Sequence, residues 1–162
     1  MERKRSIIFL ILVLAGSFLA AGEALSLPGK TGMFHPPAGW TTLQSEPLIV
    51  RGPARDAGEA PRLVVTLSEG DPASAAATLR DGWKRVADGC EFLDDDDVPL
   101  GGRVWRRIRV RFAAGPLAFG QTAWIGQVAG RTMVIVLSAP DDRIGGYLAV
   151  ASATVASITL AP

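Results

Sequence analysis

Residues 103–112 combine the side-chain types and spacing that best support binding chemistry. Side chains alternate between the two faces of a β-strand, so a strand here places every second residue on one face. One of those faces carries four guanidinium groups and an indole: Arg103, Trp105, Arg107, Arg109 and Arg111. Guanidinium groups bind carboxylates and phosphates through paired hydrogen bonds, and tryptophan supplies rigid contact area. The sequence therefore predicts a partner-binding surface for an acidic protein, an anionic glycan or lipid headgroups.

The opposite face of the same strand is predicted to lie in the hydrophobic core: Val104, Arg106, Ile108, Val110 and Phe112. An alternative interpretation leaves no binding site on the arginine face. In that interpretation the guanidinium groups pair with carboxylates such as the acidic run Asp94–Asp97, or they lie under a helix. The same four aspartates lack the spacing of a calcium loop, and consecutive side chains of an extended chain point in opposite directions. We therefore predict a solvated acidic turn rather than a metal site.

Nucleophiles and bases are scarce in this sequence. Its single cysteine, Cys90, and single histidine, His35, exclude a disulfide framework and a conventional zinc site. Nothing around either residue supports a nucleophile–base pair. The sequence contains no Gly-x-Ser-x-Gly motif, no phosphate-binding loop and no dinucleotide fingerprint. We therefore predict a protein that is not an enzyme and needs no cofactor, with Cys90 as a small core residue.

The charge balance is close to neutral. Lys and Arg number 17 and Asp and Glu 16, which gives a formal net charge of +1 over 162 residues. Nucleic-acid partners are therefore not expected, because proteins that bind polyanions broadly are strongly basic. Hydrophobic residues make up 48% and charged residues 20%, a composition typical of an ordered domain. A chain of this length is sufficient for one domain with its own core.

The N-terminal residues have the pattern of a secretory signal peptide. Basic residues Arg3–Arg5 precede an apolar run from Ser6 to Ala21, which is shorter than the roughly 20 residues of a membrane-spanning helix. Small residues within 20–24 satisfy the small-x-small cleavage rule. We therefore predict a signal peptide over residues 1–24 and a periplasmic or secreted location, with an uncleaved membrane anchor as the alternative. No cysteine lies near the cleavage site, so lipoprotein anchoring is not expected.

Hydrophobic periodicity predicts an α+β domain over residues 32–162, preceded by a short lead-in over 25–31. Alternation and turn residues predict strands at 46–52, 62–68, 103–112, 117–128 and 131–138, with shorter strand segments at 32–35 and 90–93. Asp71-Pro72 predicts the start of a helix that Gly89 ends, and Pro140-Asp141-Asp142 opens a second helix. The connections are short, so the expected fold is an antiparallel sheet of about six strands flanked by two main helices.

Four short motifs add a family resemblance to this layout. They are Pro-Pro-x-Gly-Trp at 36–40, Gly-Gly-x-x-Trp-Arg at 101–106, Gln-Thr-x-Trp at 121–124 and the strand at 133–138. The chain resembles the PsbP/Mog-like superfamily, which includes DcrB-like periplasmic proteins and LpqN-type envelope lipoproteins. The resemblance implies an α-β-α sandwich that serves as an accessory or partner-binding domain. It supplies no catalytic residues to carry over.

Two functions are compatible with these observations. The first is an exported, non-enzymatic accessory domain of the bacterial cell envelope that binds an envelope protein or an anionic envelope component. It contacts the membrane only through an uncleaved signal segment. The second is a carrier of a small lipid or metabolite, with a pocket between sheet and helix lined by Trp and Met.

Overall fold

The computed structural model describes residues 21–54, 59–87 and 89–161. Its helices are α1 (Pro72–Val86) and α2 (Asp141–Ala156), and a 3₁₀ turn spans Pro28–Lys30. The main sheet contains β3 (Thr41–Ser45), β4 (Leu48–Arg51), β5 (Arg62–Ser68), β6 (Glu91–Leu100), β7 (Arg103–Ala114), β8 (Leu117–Val128) and β9 (Arg131–Pro140). A smaller sheet contains β1 (Leu25–Ser26), β2 (Gly32–Phe34) and β10 (Thr159–Leu160).

The main sheet is antiparallel throughout, with the strand order β3-β4-β5-β9-β8-β7-β6. Helices α1 and α2 pack on opposite faces, each over its own hydrophobic cluster. The predicted α+β class is therefore confirmed. The sheet has seven strands rather than about six, because β3 lies in a stretch for which no strand was predicted. Strand β6 continues through the acidic run Asp94–Asp97, which was predicted to be a turn.

Helix α1 follows its sequence signals closely. The Asp71 carboxylate accepts a hydrogen bond from the Ser74 backbone N–H at 3.0 Å and another from its hydroxyl at 2.8 Å. These bonds favour the charged form and lower the pKa of Asp71. Pro72 occupies the first helical position, which needs no N–H donor. On the inner face Trp83 is buried, and its indole N–H donates to Gln121 Oε1 at 2.6 Å.

Helix α2 covers the other face despite its two consecutive glycines, Gly145 and Gly146. It buries Ile144, Ala151 and Val155 against the sheet. The Ile144 side chain lies directly over Gly120 of β8, where an added Cβ would come within 2.8 Å of its Cγ2. Close packing of α2 therefore depends on a residue without a side chain at position 120.

The lead-in over residues 25–31 is part of the folded domain. Strand β1 pairs with β2, and Leu27 is buried in the cluster beneath α2. Residues 1–20 of the predicted signal peptide lie outside the described residues, while Gly22 donates its backbone N–H to Pro36 O at 2.7 Å. Among the residues that the structure describes, no helix is long and apolar enough to cross a membrane.

Candidate functional site

The arginine-rich strand β7 forms a hairpin with β6, the last strand at one edge of the main sheet. The connecting residues Gly101 and Gly102 both have positive φ, +58° and +73°, which glycine tolerates without strain. This two-residue turn sets the register, so that Asp96 lies opposite Arg107 and Asp94 opposite Arg109. The acidic run is thus aligned with the arginines by the geometry of the turn.

A β-bulge between Phe92 and Asp94 changes the register further along the hairpin. Without the bulge, Phe92 would oppose Arg111. With it, Phe92 opposes Val110 on the apolar face beneath α1, while Glu91 opposes Arg111. The bulge therefore adds a third acid–arginine pair on the α2 side of the hairpin.

These three cross-strand pairs form what we call the arginine ladder. Arg107 binds Asp96 through two hydrogen bonds of 2.8 and 3.1 Å. Arg109 Nη1 donates to Asp94 Oδ2 at 2.7 Å, and Arg111 Nε donates to Glu91 Oε2 at 2.7 Å. The arginine side chains are 30–51% exposed, so the ladder is accessible from solvent.

The α1 side of the same hairpin carries a separate group of charges. Asp95 pairs with Arg106 of β7 and with Arg80 of α1, and Asp97 Oδ1 lies 3.7 Å from Arg106 Nη1. These ion pairs connect the edge of the sheet to α1. The interpretation that the arginines have internal carboxylate partners is therefore correct for these described residues.

Two of the five predicted site residues do not belong to the acid–arginine pairs of the ladder. Trp105 is 1% exposed, and its indole N–H donates to Leu100 O at 3.3 Å. Arg103 Nη1 donates to Ile158 O at 3.1 Å, which ties the hairpin turn to the segment after α2. The remaining three members, Arg107, Arg109 and Arg111, form the ladder and pair with carboxylates of β6.

The prediction that one face of β7 lies in the core was also partly wrong. Val104 is 65% exposed, and Arg106 is in the ion-pair group beside α1. The prediction treated every residue of that face as part of the core. Because a helix covers each face of this sheet, burial depends on position beneath the helices and not on face alone.

Two residues of β8 lie beside the ladder but were not part of the predicted partner-binding surface. Thr122 lies opposite Arg109 and Trp124 opposite Arg107, so all four occupy the α2 face of the sheet. Both β8 residues are fully buried. Among the described residues, neither Thr122 Oγ1 nor Trp124 Nε1 has a hydrogen-bond partner. Both belong to the Gln-Thr-x-Trp motif, whose alternation already places them on one face.

Cys90 and His35 have separate structural surroundings. Cys90 packs at the margin of the cluster beneath α1, where burial raises the pKa of its thiol and the nearby Lys84 opposes that shift. His35 Nδ1 lies 3.2 Å from Gly22 O, and its backbone N–H donates to Ser157 Oγ at 2.8 Å. Cys90 and His35 do not form a hydrogen bond with each other in the described structure.

The side chains expected to line a ligand pocket between sheet and helix are packed in the core. Trp105, Trp124 and Met133 are fully buried in the cluster beneath α2. A groove of about 490 Å³ lies instead at the first turn of α2, lined by residues that include Leu117, Phe119 and Pro140. This groove lies between β8 and the start of α2, but its lining contains no tryptophan or methionine, so it differs from the pocket predicted for a carrier.

A seven-stranded antiparallel sheet with one helix on each face defines the α-β-α sandwich class of proteins. No family model matches the sequence, and neither does any curated protein. Solved structures do match. Mog1p, a Ran-binding protein of Saccharomyces cerevisiae, has a TM-score of 0.64 at 13% identity, with 88% of this chain and 96% of that chain covered.

Two further structures share the fold. Cyanobacterial PsbP (CyanoP) from Synechocystis has a TM-score of 0.63 at 17% identity, with coverage of 90% of this chain and 96% of that chain. LpqN, involved in cell envelope biogenesis of Mycobacterium tuberculosis, has a TM-score of 0.58 at 19% identity, with coverage of 86% and 90%. The chain therefore has the predicted PsbP/Mog-like fold.

Proposed function

We propose that this chain is an exported, non-enzymatic binding domain of the bacterial cell envelope. Its partner is an envelope protein or an anionic envelope component with clustered negative charges. The observation that carries the proposal is the arginine ladder, in which Arg107, Arg109 and Arg111 line up on an accessible edge of the sheet. A row of guanidinium groups matches a row of carboxylates or phosphates on a partner.

The internal partners of the ladder are compatible with this role. Partly exposed ion pairs contribute only about 0–1 kcal/mol each, so exchanging one carboxylate for another costs little. A partner can therefore take over the guanidinium groups while Asp94, Asp96 and Glu91 return to water. Binding of this kind requires several pairs at once, weakens with salt, and rejects partners whose charges do not match the spacing.

Other features support a binding role over an enzymatic one. Burial raises the pKa of the Cys90 thiol, which disfavours nucleophilic chemistry. The charge balance disfavours a nucleic-acid partner. Two proteins with the same fold are described as Ran-binding and as involved in cell envelope biogenesis, which is compatible with a fold that presents binding surfaces.

The test is a crosslinked pull-down of the tagged, exported protein from gently treated envelopes. The Arg107→Glu/Arg109→Glu variant is expected to lose a partner that the parent protein recovers, because it places negative charge at two rungs of the ladder. A single charge reversal on the exposed face of α1, Arg85→Glu, is expected to retain the partner.

A second control separates binding from folding. The exchanged pair Asp96→Arg/Arg107→Asp keeps one ion pair in the hairpin but moves its positive charge from β7 to the outer strand. This variant should fold like the parent and still bind less partner. Full recovery of the partner by both ladder variants would contradict the assignment of the ladder as the interface.

Export has its own measurement. Fractionation followed by intact mass is expected to find the chain outside the cytoplasm and shortened by 22 or 24 residues, the two lengths allowed by the small-x-small positions. A full-length chain in the membrane fraction would favour an uncleaved anchor. A full-length cytoplasmic chain would overturn the proposed location and leave the binding proposal to the pull-down.

A further inference from the structure

Two buried polar side chains lie beside the arginine ladder without hydrogen-bond partners among the described residues, Thr122 and Trp124. Orphaned buried donors are uncommon in folded proteins, because each forfeits the hydrogen bonds it made with water. The buried indoles of Trp83 and Trp105 both donate to protein oxygens. The unsatisfied indole is the one beside Arg107.

These donors and the two inner arginines occupy one small patch of the sheet. Directly opposed residues of antiparallel strands have Cβ atoms about 4.5–5.5 Å apart. Arg107 opposes Trp124, and Arg109 opposes Thr122, which gives a two-by-two arrangement on the α2 face. The acidic partners of both arginines lie on the far side, on β6. The β8 side of the patch thus contributes an indole N–H and a hydroxyl, without a carboxylate.

The arginines have unused donors in the described structure. Arg109 makes one side-chain hydrogen bond, from Nη1 to Asp94, which leaves its Nε and Nη2 without an acceptor among the described residues. Arg107 uses Nε and Nη2 for Asp96 and retains Nη1. An indole nitrogen and a guanidinium can only donate, and a threonine hydroxyl can donate as well. The complement to such a patch is a compact group that only accepts hydrogen bonds.

We propose that this patch is a binding site for a small oxyanion, a carboxylate or a phosphate or sulfate group. The oxygens of the anion accept from Trp124 Nε1 and Thr122 Oγ1 on the inner side and from the unused N–H groups of Arg107 and Arg109 on the outer side. The arginines are about one-third exposed, so the anion enters past them from the edge of the sheet. The site goes beyond the proposed function, because a free oxyanion can bind whether or not a protein docks on the ladder.

Nuclear magnetic resonance of the indole N–H groups tests the proposal directly. The purified protein is titrated with sodium phosphate, sodium sulfate and sodium acetate against sodium chloride at equal ionic strength. The Trp124 signal, assigned from the Trp124→Phe variant, is expected to shift with saturation. The Trp83 and Trp105 signals serve as internal controls because both groups already have acceptors. The anion that saturates the shift distinguishes a phosphate-type ligand from a carboxylate.

Two conservative variants keep the test independent of folding defects. Thr122→Val removes only the hydroxyl, and Arg109→Gln removes the charge from one arginine. Each is expected to weaken anion binding about tenfold, the effect typical of one hydrogen bond to a charged group. Arg111→Gln is the matched control with an expected change of less than about twofold, since Arg111 opposes Gly120, which offers no side-chain donor.

Three outcomes overturn the proposal. The Trp124 signal does not move with any of the three anions, or it moves equally with chloride, or Arg111→Gln weakens binding as much as Arg109→Gln. The first outcome means that the two orphaned groups are satisfied by buried water. The pull-down and this titration use different readouts, so each proposal can fail without the other.

Discussion

The two edges of the main sheet are built in opposite ways. Strand β6 has ten residues, of which Asp94–Asp97 and Glu91 are acidic and Pro99 lacks a backbone donor. Strand β3 has five residues, Thr41–Ser45, all exposed and none charged, with a register shift at its centre. Both edge strands leave backbone N–H and C=O groups unpaired. Such groups can pair with a strand of another chain, so a sheet edge is a site of association.

The difference shows two ways to limit that association. Edge β3 is short and irregular, so it offers few backbone groups in regular register. Edge β6 is twice as long, with ten residues, and its carboxylates oppose the approach of another strand. Those carboxylates need cations close by, which the arginines of β7 supply. The charges at β6 therefore protect the edge and form the ladder at the same time, whereas β3 carries no comparable chemistry.

The largest contrast between the two edges is expected in stability. Trp105→Ala removes an indole that is 1% exposed beneath α2, and should lower the free energy of unfolding by about 3–5 kcal/mol. Leu43→Ala in β3 removes a side chain that is 55% exposed and should change the free energy of unfolding by less than about 0.5 kcal/mol. Urea unfolding of both variants measures the difference. Equal effects would mean that the β6–β7 hairpin is not anchored through its tryptophan.

The turn at the end of the β6 edge gives the next largest effect. A Cβ at Gly101 would collide with the carbonyl of Ala156, the last residue of α2, whereas a Cβ at Gly102 meets no atom. Both positions have positive φ, so both alanine variants carry similar backbone strain. Gly101→Ala should therefore be about 1–3 kcal/mol less stable than Gly102→Ala by thermal or urea unfolding. Matching stabilities would show that the turn and α2 move apart freely.

A smaller effect on the free energy of unfolding is expected from the ion pairs of the ladder. A double-mutant cycle with Arg109→Met and Asp94→Asn should give a coupling of about 0.2–1 kcal/mol that falls as salt is added. The same cycle on Arg62 and Glu59, whose charged atoms are 3.8 Å apart and whose side chains are 52% exposed, should give almost none. A larger coupling for the second pair would contradict the view that register and partial burial strengthen the ladder.

The smallest effect concerns the thiol that precedes β6. Burial raises the pKa of Cys90, so less thiolate is present at neutral pH than in an unfolded chain. Labelling with a thiol reagent should therefore be slow and should accelerate as pH rises through the raised pKa. The contribution of this thiol to the free energy of unfolding is fully present below the ordinary thiol pKa. It is lost as the pH rises through the raised pKa of the folded protein. Lys84→Gln should slow labelling further, and faster labelling in that variant would refute the electrostatic contribution of Lys84.

Local signals made much of the fold predictable. Helix α1 was expected from Asp71 and Pro72 because capping and the first helical position depend on neighbouring atoms alone. The alignment of Asp94 and Asp96 with the arginines follows from the two-residue turn at Gly101–Gly102. The acidic run could therefore be named as an internal partner before its geometry was known.

The remaining features depend on tertiary packing. Alternation along β7 shows which residues share a face, but it cannot show how far α2 extends over that face, so Trp105 was grouped with the arginines of the predicted binding surface. The bulge at Leu93, which aligns Glu91 with Arg111, has no local sequence signal. Thr122 and Trp124 emerged as candidates only when their lack of partners was visible.

The small sheet has a consequence for how the domain bears mechanical load. Strand β2 pairs with β1 on one side and with β10 on the other, so Ser26 and Thr159 both lie opposite Met33. Tension applied at these two ends of the domain acts first on the few hydrogen bonds of this three-stranded sheet. The small sheet can yield while the seven-stranded sheet and its charged edge keep their shape. A force applied between β1 and β10 would therefore separate the strands of the small sheet before it deforms the β6 edge of the main sheet.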